Sequence, residues 1–181
     1  MKRTLIIAVS SLFIIVGGIT LLNSRSVGTA VSNVTLKNGS ATSQIPGFGT
    51  KVISITYASA GIISKPQDYC DPINTALKNK NFDKNKYQGI GVANMKDSGT
   101  VPDSSIEKAA AEKRAKYGAV VLTDDSRILA ESWGLAKDLS GKSVLIIIGT
   151  DKKIKYIKTF SGKASQKDAE EVVALVEDLL K

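Results

Sequence analysis

The chain has no histidine and a single cysteine, Cys70. Without histidine there is no Ser-His-Asp triad, no imidazole general base and no histidine-ligated metal. With one thiol there is no intramolecular disulfide, no thiolate zinc cluster and no dithiol cycle within one chain. Arginine is scarce and lysine abundant, and the lysines interleave with acids, as in Glu107-Lys108 and Glu112-Lys113-Arg114. Nucleic-acid sites draw on the forked donors of arginine, so this balance describes a solvated surface and no nucleic-acid partner is expected. The formal charge is +8 over 181 residues. Lys2, Arg3 and Arg25 supply three of those charges in a stretch free of acids, which leaves about +5 for residues 31–181. Apolar content of 43% with four prolines belongs to a globular protein able to bury a real core.

Met1-Lys2-Arg3 and the apolar run Leu5 to Leu22 form a charged n-region and an h-region. As a helix that run is about 27 Å long, enough to cross a bilayer. Two readings stand. Residues 1–30 are either a signal peptide cleaved after Ala30, where Gly28 and Ala30 supply small residues, or an uncleaved N-terminal membrane anchor. Both leave Lys2 and Arg3 in the cytoplasm and the domain, residues 31–181, periplasmic or otherwise extracytoplasmic. The membrane is then met only through this segment.

The domain reads as alternating strands and helices. Asn33 to Gln44 has the pattern of a hairpin around the Asn38-Gly39 turn signal. Val52, Ile53 and Ile55 lie in a buried strand ending at Tyr57, and Ala58 to Tyr69 reads as a loop. Asp71 is placed to cap a helix with Pro72 in its first turn, and Ile73, Ala76 and Leu77 share one face of it. Ile90 and Val92 alternate in a strand. Ser104-Ser105-Ile106-Glu107 has the spacing of a capping box for a helix ended by Gly118. Ala119 to Leu122 is a strand, and Arg127 to Trp133 a short helix stopped by Gly134. Val144 to Ile148 is a continuous apolar run suited to a strand covered on both faces. A turn at Gly149–Lys153 leads to an edge strand near Ile154–Ile157, and a helix capped by Ser165 closes the chain. This order predicts a three-layer α/β/α sandwich with a mixed sheet.

The pattern resembles the redoxin group. The hairpin and strand of Val34 to Tyr57, the strand and acidic turn Ala119-Val120-Val121-Leu122-Thr123-Asp124-Asp125, Trp133-Gly134, and the closing hairpin and helix of Val144 to Leu180 carry the likeness. The chain is similar to the YtfJ family of exported thioredoxin-fold proteins over about Val31 to Lys181. That resemblance implies a thioredoxin-like sandwich with an N-terminal β-hairpin extension and an extracytoplasmic location, and it implies little about activity. Against thioredoxin-type oxidoreductases the chain departs in three places. The turn Tyr69-Cys70-Asp71-Pro72-Ile73 has Ile73 where the second sulfur would be. A dozen residues separate Tyr57 from Cys70. Ser140-Gly141-Lys142-Ser143 holds no proline where those enzymes carry a cis one.

Cys70 is the candidate catalytic residue. At a helix start the macrodipole lowers a thiol pKa, whereas the adjacent Asp71 raises it. No base is adjacent in sequence, although Lys65 could approach in space. The leading expectation is a redox-inert binding or adaptor module with a protein or peptide partner and no cofactor, using a groove near Ala58–Cys70 and Lys142–Ser143. The alternative is a monothiol peroxidase or redox sensor in which an external thiol resolves the Cys70 sulfenate. Asp124, Asp125 and Asp151 read as turn residues before cation ligands. Gly89-Ile90-Gly91 reads as strand glycines, and Trp133 as a core or groove aromatic. Tyr156 and Phe160 lie on a lysine-protected edge hairpin.

Overall fold

A computed structural model describes residues 26–63, 68–98, 100–117 and 120–181. The apolar run at Leu5–Leu22, Lys65, and the boundary residues Gly118 and Ala119 lie outside the described residues. Among those described, no helix is long and apolar enough to cross a membrane.

Seven strands form one mixed sheet in the order β2-β1-β5-β4-β3-β6-β7. The strands are β1 (Thr35–Asn38), β2 (Ala41–Gln44), β3 (Val52–Ser59), β4 (Tyr87–Asn94), β5 (Val120–Asp124), β6 (Ser143–Ile148) and β7 (Ile154–Phe160). The helices are α1 (Ala60–Ile63), α2 (Asp71–Asn79), α3 (Asp103–Tyr117), α4 (Ile128–Ser132) and α5 (Gln166–Leu179). β3, β4 and β5 run parallel, and β6 returns antiparallel to β3 with Ile55 opposite Ile146. The expected α/β/α sandwich with its N-terminal hairpin is the fold observed.

Alternation sorts the strand residues between the layers. Ile53, Ile55 and Tyr57 of β3 join Val144, Ile146 and Ile148 of β6 in a core that also holds Trp133 and the hairpin residue Leu36. Leu145 and Ile147 point the other way, into a core with Ile73 and Leu77 of α2 and Val172, Val173 and Val176 of α5. All six residues of β6 are buried, as a strand covered on both faces requires. Trp133 is fully buried, and its indole Nε1–H donates to the Ser32 carbonyl at 2.8 Å. It is therefore a core aromatic that binds the N-terminal arm to α4.

Several local expectations shift. The hairpin pairs Asn38 with Ala41, so the two-residue loop is Gly39-Ser40, with Gly39 at φ +62°, one residue beyond the expected turn. β3 continues to Ser59 because β6 pairs with it as far as Ala58 and β4 as far as Ser59. α3 begins at Asp103, which puts Ser104 inside the first turn, so Ser104 is not the cap expected of it. The Pro102 carbonyl takes the Ser105 and Ile106 N–H groups there. Arg127 lies outside α4 in a left-handed conformation, φ +63°. Ser165 caps α5 in a full capping box with Asp168, as its spacing predicts. Residues 28–31 lie along the start of β7. Gly28 N–H donates to the Ile154 carbonyl at 2.7 Å, and Ile154 N–H to the Thr29 carbonyl at 2.9 Å.

The carboxylate of Asp124, buried at the end of β5, organises the chain crossing to α4. It accepts from Ile128 N–H at 2.8 Å, Leu129 N–H at 3.0 Å and the Tyr57 hydroxyl at 3.1 Å. Burial, followed by the Asp124 charge, pushes the Tyr57 hydroxyl far above its ordinary pKa, so it stays a donor. Asp124→Ala strands three donors and is expected to destabilise the fold by about 3 kcal/mol. Urea unfolding at pH 7 measures this. A cost under about 1 kcal/mol would show that water reaches those donors.

Candidate functional site

The turn that carries Cys70 lies beyond the C-terminal end of β3, where an open parallel sheet places its ligand-handling loops. Pro72 starts α2 without wasting a hydrogen bond, since the first turn of a helix has no carbonyl for its N–H groups. Cys70 is the N-cap residue, and no side chain caps the helix. Asp71 therefore does not cap. Its side chain turns away to α3 and pairs with Lys113 at 2.7 Å and Lys116 at 3.5 Å. The reason is energetic. Asp71 is buried, and a buried carboxylate needs cationic partners more than a helix end needs one acceptor.

The acceptor at the helix start comes instead from Asp68. Its Oδ1 takes the Cys70 N–H at 2.8 Å and the Ser143 hydroxyl at 3.3 Å. The backbone adds two more ties. Asp71 N–H donates to the Asp68 carbonyl at 3.1 Å, and Ala164 N–H donates to the Tyr69 carbonyl at 2.8 Å. Nearby, Ser59 N–H reaches the Lys142 carbonyl at 3.3 Å. The cysteine turn, the entry to β6 and the approach to α5 are thus bound to one another. Lys142–Ser143 occupy the position read as the proline site of thioredoxin-type enzymes, and the described residues include no cis peptide bond.

Cys70 itself is fully buried. It packs in the core built from Ile73, Leu145, Ile147, Phe160 and Ala164. Burial pushes its thiol far above the ordinary value of 9.0, and the charges of Asp68 and Asp71 push in the same direction. Lys113 opposes them, but it is already engaged by Asp71. Any benefit from the α2 dipole is outweighed, because desolvation and two carboxylates all favour the protonated form. A buried neutral thiol is a weak nucleophile. Asp68 is raised as well, chiefly by burial.

The remaining sequence candidates are dispersed. Asp125 pairs with Lys37, and Asp151 with Lys155 at 2.7 Å, while Asp124 serves α4. Among the described residues no group of three or more His, Cys, Asp or Glu side chains stands close enough to hold a metal ion. Gly89 and Gly91 lie in β4. Phe160 is buried, and the Tyr156 hydroxyl, on the face shared with α5, is buried without a partner among the described residues. Burial and the charges of Glu171 and Asp168 push its pKa up to about 12. Sequence reasoning placed Asp68 and Ser143 within the expected groove but gave neither a role. Asp68 carries the turn, and Ser143 ties it to β6, yet neither sits in a motif. The one available signal was an acid two residues before the N-cap position, the spacing of an Asx turn.

A further buried polar group lies at the ends of β4 and β5. Arg127 is held by Asp97 at 2.5 Å and by the Ala136 carbonyl at 2.7 Å, and it also donates to the Lys137 carbonyl. Asn94 donates to Asp97 at 2.7 Å. Each charge here has its counter-group, which makes this a brace for a left-handed residue.

Comparison with known proteins places the chain. Residues 33–179 match the family model described as "Bacterial protein of unknown function (YtfJ_HI0045)". The chain belongs to this family. No curated protein matches it. Its solved structural neighbours include the thioredoxin domain of a thiol-disulfide oxidoreductase from Bacteroides vulgatus, with TM-score 0.59 at 17% identity, covering 87% of this chain and 100% of that one. A secreted Mycobacterium tuberculosis disulfide oxidoreductase homologous to E. coli DsbE matches at TM-score 0.55 and 10% identity, over 80% of this chain and 95% of its own. A peroxiredoxin-like protein from Aquifex aeolicus matches at TM-score 0.61 and 15% identity, over 86% and 88%. At these identities the likeness establishes the thioredoxin-like fold alone.

The burial of Cys70 has a measurable pH signature. The thiol of the unfolded chain ionises near the ordinary value of 9.0, whereas the folded one holds its proton beyond it. As pH rises past 9.0, the unfolded state loses its proton first and is favoured. Relative to Cys70→Ala, the wild type is therefore expected to lose about 1.4 kcal/mol of stability per pH unit above that value, and to show no such slope below it. Denaturant unfolding of both proteins between pH 7 and 10.5 gives the difference. A slope of zero across that range would contradict the burial.

Proposed function

We propose that this member of the YtfJ family is a redox-inert binding or adaptor module that works outside the cytoplasm on a protein or peptide partner. The observation that supports it is the state of the sole cysteine. Cys70 lies wholly inside the protein with two carboxylates around it, at the position where a thioredoxin-type enzyme exposes a thiolate. Disulfide exchange needs that thiolate to attack and a second thiol to release the mixed disulfide. Ile73, fully buried, stands where the second thiol would be. Peroxide reduction needs an accessible thiolate too. What the turn offers instead is a rigid polar junction between α2 and β6, fastened through Asp68 and Ser143. Beside it Tyr69 and Lys142 are partly exposed and supply the surface for a partner. The export reading rests on the Lys2-Arg3 pair and the apolar run behind it.

Catalysis tests this directly. The full-length protein is expected to reduce insulin disulfides and to consume hydrogen peroxide no faster than buffer, in the presence of an external thiol. Cys70→Ser is expected to leave both readings unchanged. Turnover at enzymatic rates that Cys70→Ser abolishes would establish the monothiol reading in place of this one. Cell fractionation is expected to recover the protein with the extracytoplasmic fraction, and recovery from the cytoplasm would remove that part of the proposal.

A further inference from the structure

A cleft of about 550 Å³ opens at the end of the sheet opposite Cys70. It lies between the last turn of α2, the residues entering β3 and β4, and the end of α3. α2 leads from the Cys70 turn toward this cleft, a distance of about 13 Å for its nine residues. The cleft is thus separate from the cysteine turn. Its volume is that of a small-molecule site, which spans about 300 to 1,000 Å³.

Three lysines line it, Lys51, Lys78 and Lys84, and among the described residues no Asp or Glu does. Among the described residues none of the three forms an ion pair. Two are nevertheless positioned. Lys51 Nζ donates to the Lys84 carbonyl at 2.7 Å, and Lys78 Nζ donates to the Lys116 carbonyl. A carbonyl fixes an ammonium without neutralising it, and two of its three protons remain for a ligand. The acids on neighbouring residues do not line the cleft. Glu177 pairs with Lys80 at 2.6 Å, and Asp83 Oδ1 takes the Asn85 N–H at 2.8 Å. At the end of α2, whose partial negative charge would oppose an anion, the Ala76 and Lys78 carbonyls accept the Lys80 and Asn81 N–H groups.

The rest of the lining joins two polar residues, Asn81 and Gln88, to an apolar and aromatic part. Leu77 is buried beneath Phe82 and Tyr87, whose rings meet at 5.2 Å and 60°. Gly89 leaves the β4 wall open, because a Cβ there would meet only Ser54 Oγ at 3.7 Å and Tyr87 Oη at 3.8 Å. Unneutralised cations above an aromatic floor, with one wall held back by a glycine, suit a flat apolar body bearing a compact multivalent anion. We propose that this cleft binds a small organic phosphate monoester with an aromatic ring. The phosphate lies between Lys51, Lys78 and Lys84, and the ring stacks on Phe82 beside Gly89. This site is independent of the reading of Cys70.

The test uses the full-length protein and 1-naphthyl phosphate, with 1-naphthol and inorganic phosphate as partial ligands, followed by calorimetry at low ionic strength. The expected result is saturable one-to-one binding of the aryl phosphate, at least tenfold tighter than either partial ligand. Binding is expected to weaken at least tenfold in the double variant Lys51→Gln, Lys78→Gln, whose changes are on the surface. It is expected to weaken as much in Gly89→Val, which fills the wall without changing charge. Cys70→Ser is expected to bind as the wild type does, so failure here is separable from failure of the redox-inert reading. The proposal is overturned by an absence of saturable binding, by inorganic phosphate binding as tightly as the aryl phosphate, or by unchanged affinity in the lysine double variant.

Discussion

One buried carboxylate sets the character of this molecule. Asp68 sits between the start of α2 and the start of β6, and its oxygen holds the Cys70 amide and the Ser143 hydroxyl together. A carboxylate in that position costs desolvation energy, and among the described residues two donors and the distant charge of Lys113 offset it. Once it is there, the negative charge lies against the thiol, and the turn is drawn down onto the sheet. The same constraint explains why Cys70 is inside the core with Leu145 and Ile147. In a redox enzyme of this fold the corresponding turn has to stay open for a disulfide substrate. Here it is closed from both sides.

Asp71 reinforces this closure from a different direction. By reaching 42 residues along the chain to Lys113, it fastens the first turn of α2 to α3. It also absorbs the cation that could otherwise have stabilised a thiolate. The polar groups around the turn are arranged in pairs, Asp68 with Ser143 and Asp71 with Lys113, and the cysteine has none of its own among them. The opposite end of the sheet reverses the balance. There Lys51, Lys78 and Lys84 line one cleft with no acidic residue among its described lining, so the protein has a closed end with two buried carboxylates and an open end lined by lysines. Both follow from the parallel run of β3 and β4. That run sends the loops after the strands to one end and the loops before them to the other.

The fold was legible in the chain wherever burial is periodic. Val144 to Ile148, the 3.6-residue repeat of Ala169, Val172, Val173 and Val176, and the glycine turn of the N-terminal hairpin each name their element locally. Features settled by tertiary closure were not legible. The role of Asp71 depended on Lys113 lying across from it, which no short-range pattern expresses. The pairing of residues 28–31 with β7 depended on an edge that only the finished sheet presents. The depth of Cys70 depended on Ala164 and Phe160 folding over it from the far end of the chain. The basic cleft was hidden for the same reason. Its lysines looked like an ordinary solvated face, because the convergence of Lys51 with Lys78 and Lys84 needs β3, α2 and β4 in place. What the sequence did reveal about the site was an absence, the missing second thiol, and that absence already separated the chain from dithiol chemistry.

The central claim is that the only thiol of this protein is sealed in the folded state. Its most direct test is the rate of Cys70 alkylation by iodoacetamide in the full-length protein, followed from pH 6 to 10 and across sub-denaturing urea. The account predicts labelling far slower than in the unfolded chain. It also predicts a rate that rises with urea in step with unfolding, because the reagent meets the thiol only when the turn opens. Rapid, urea-independent labelling with a midpoint below about 8.5 would mean an exposed and activated thiolate, and would contradict it.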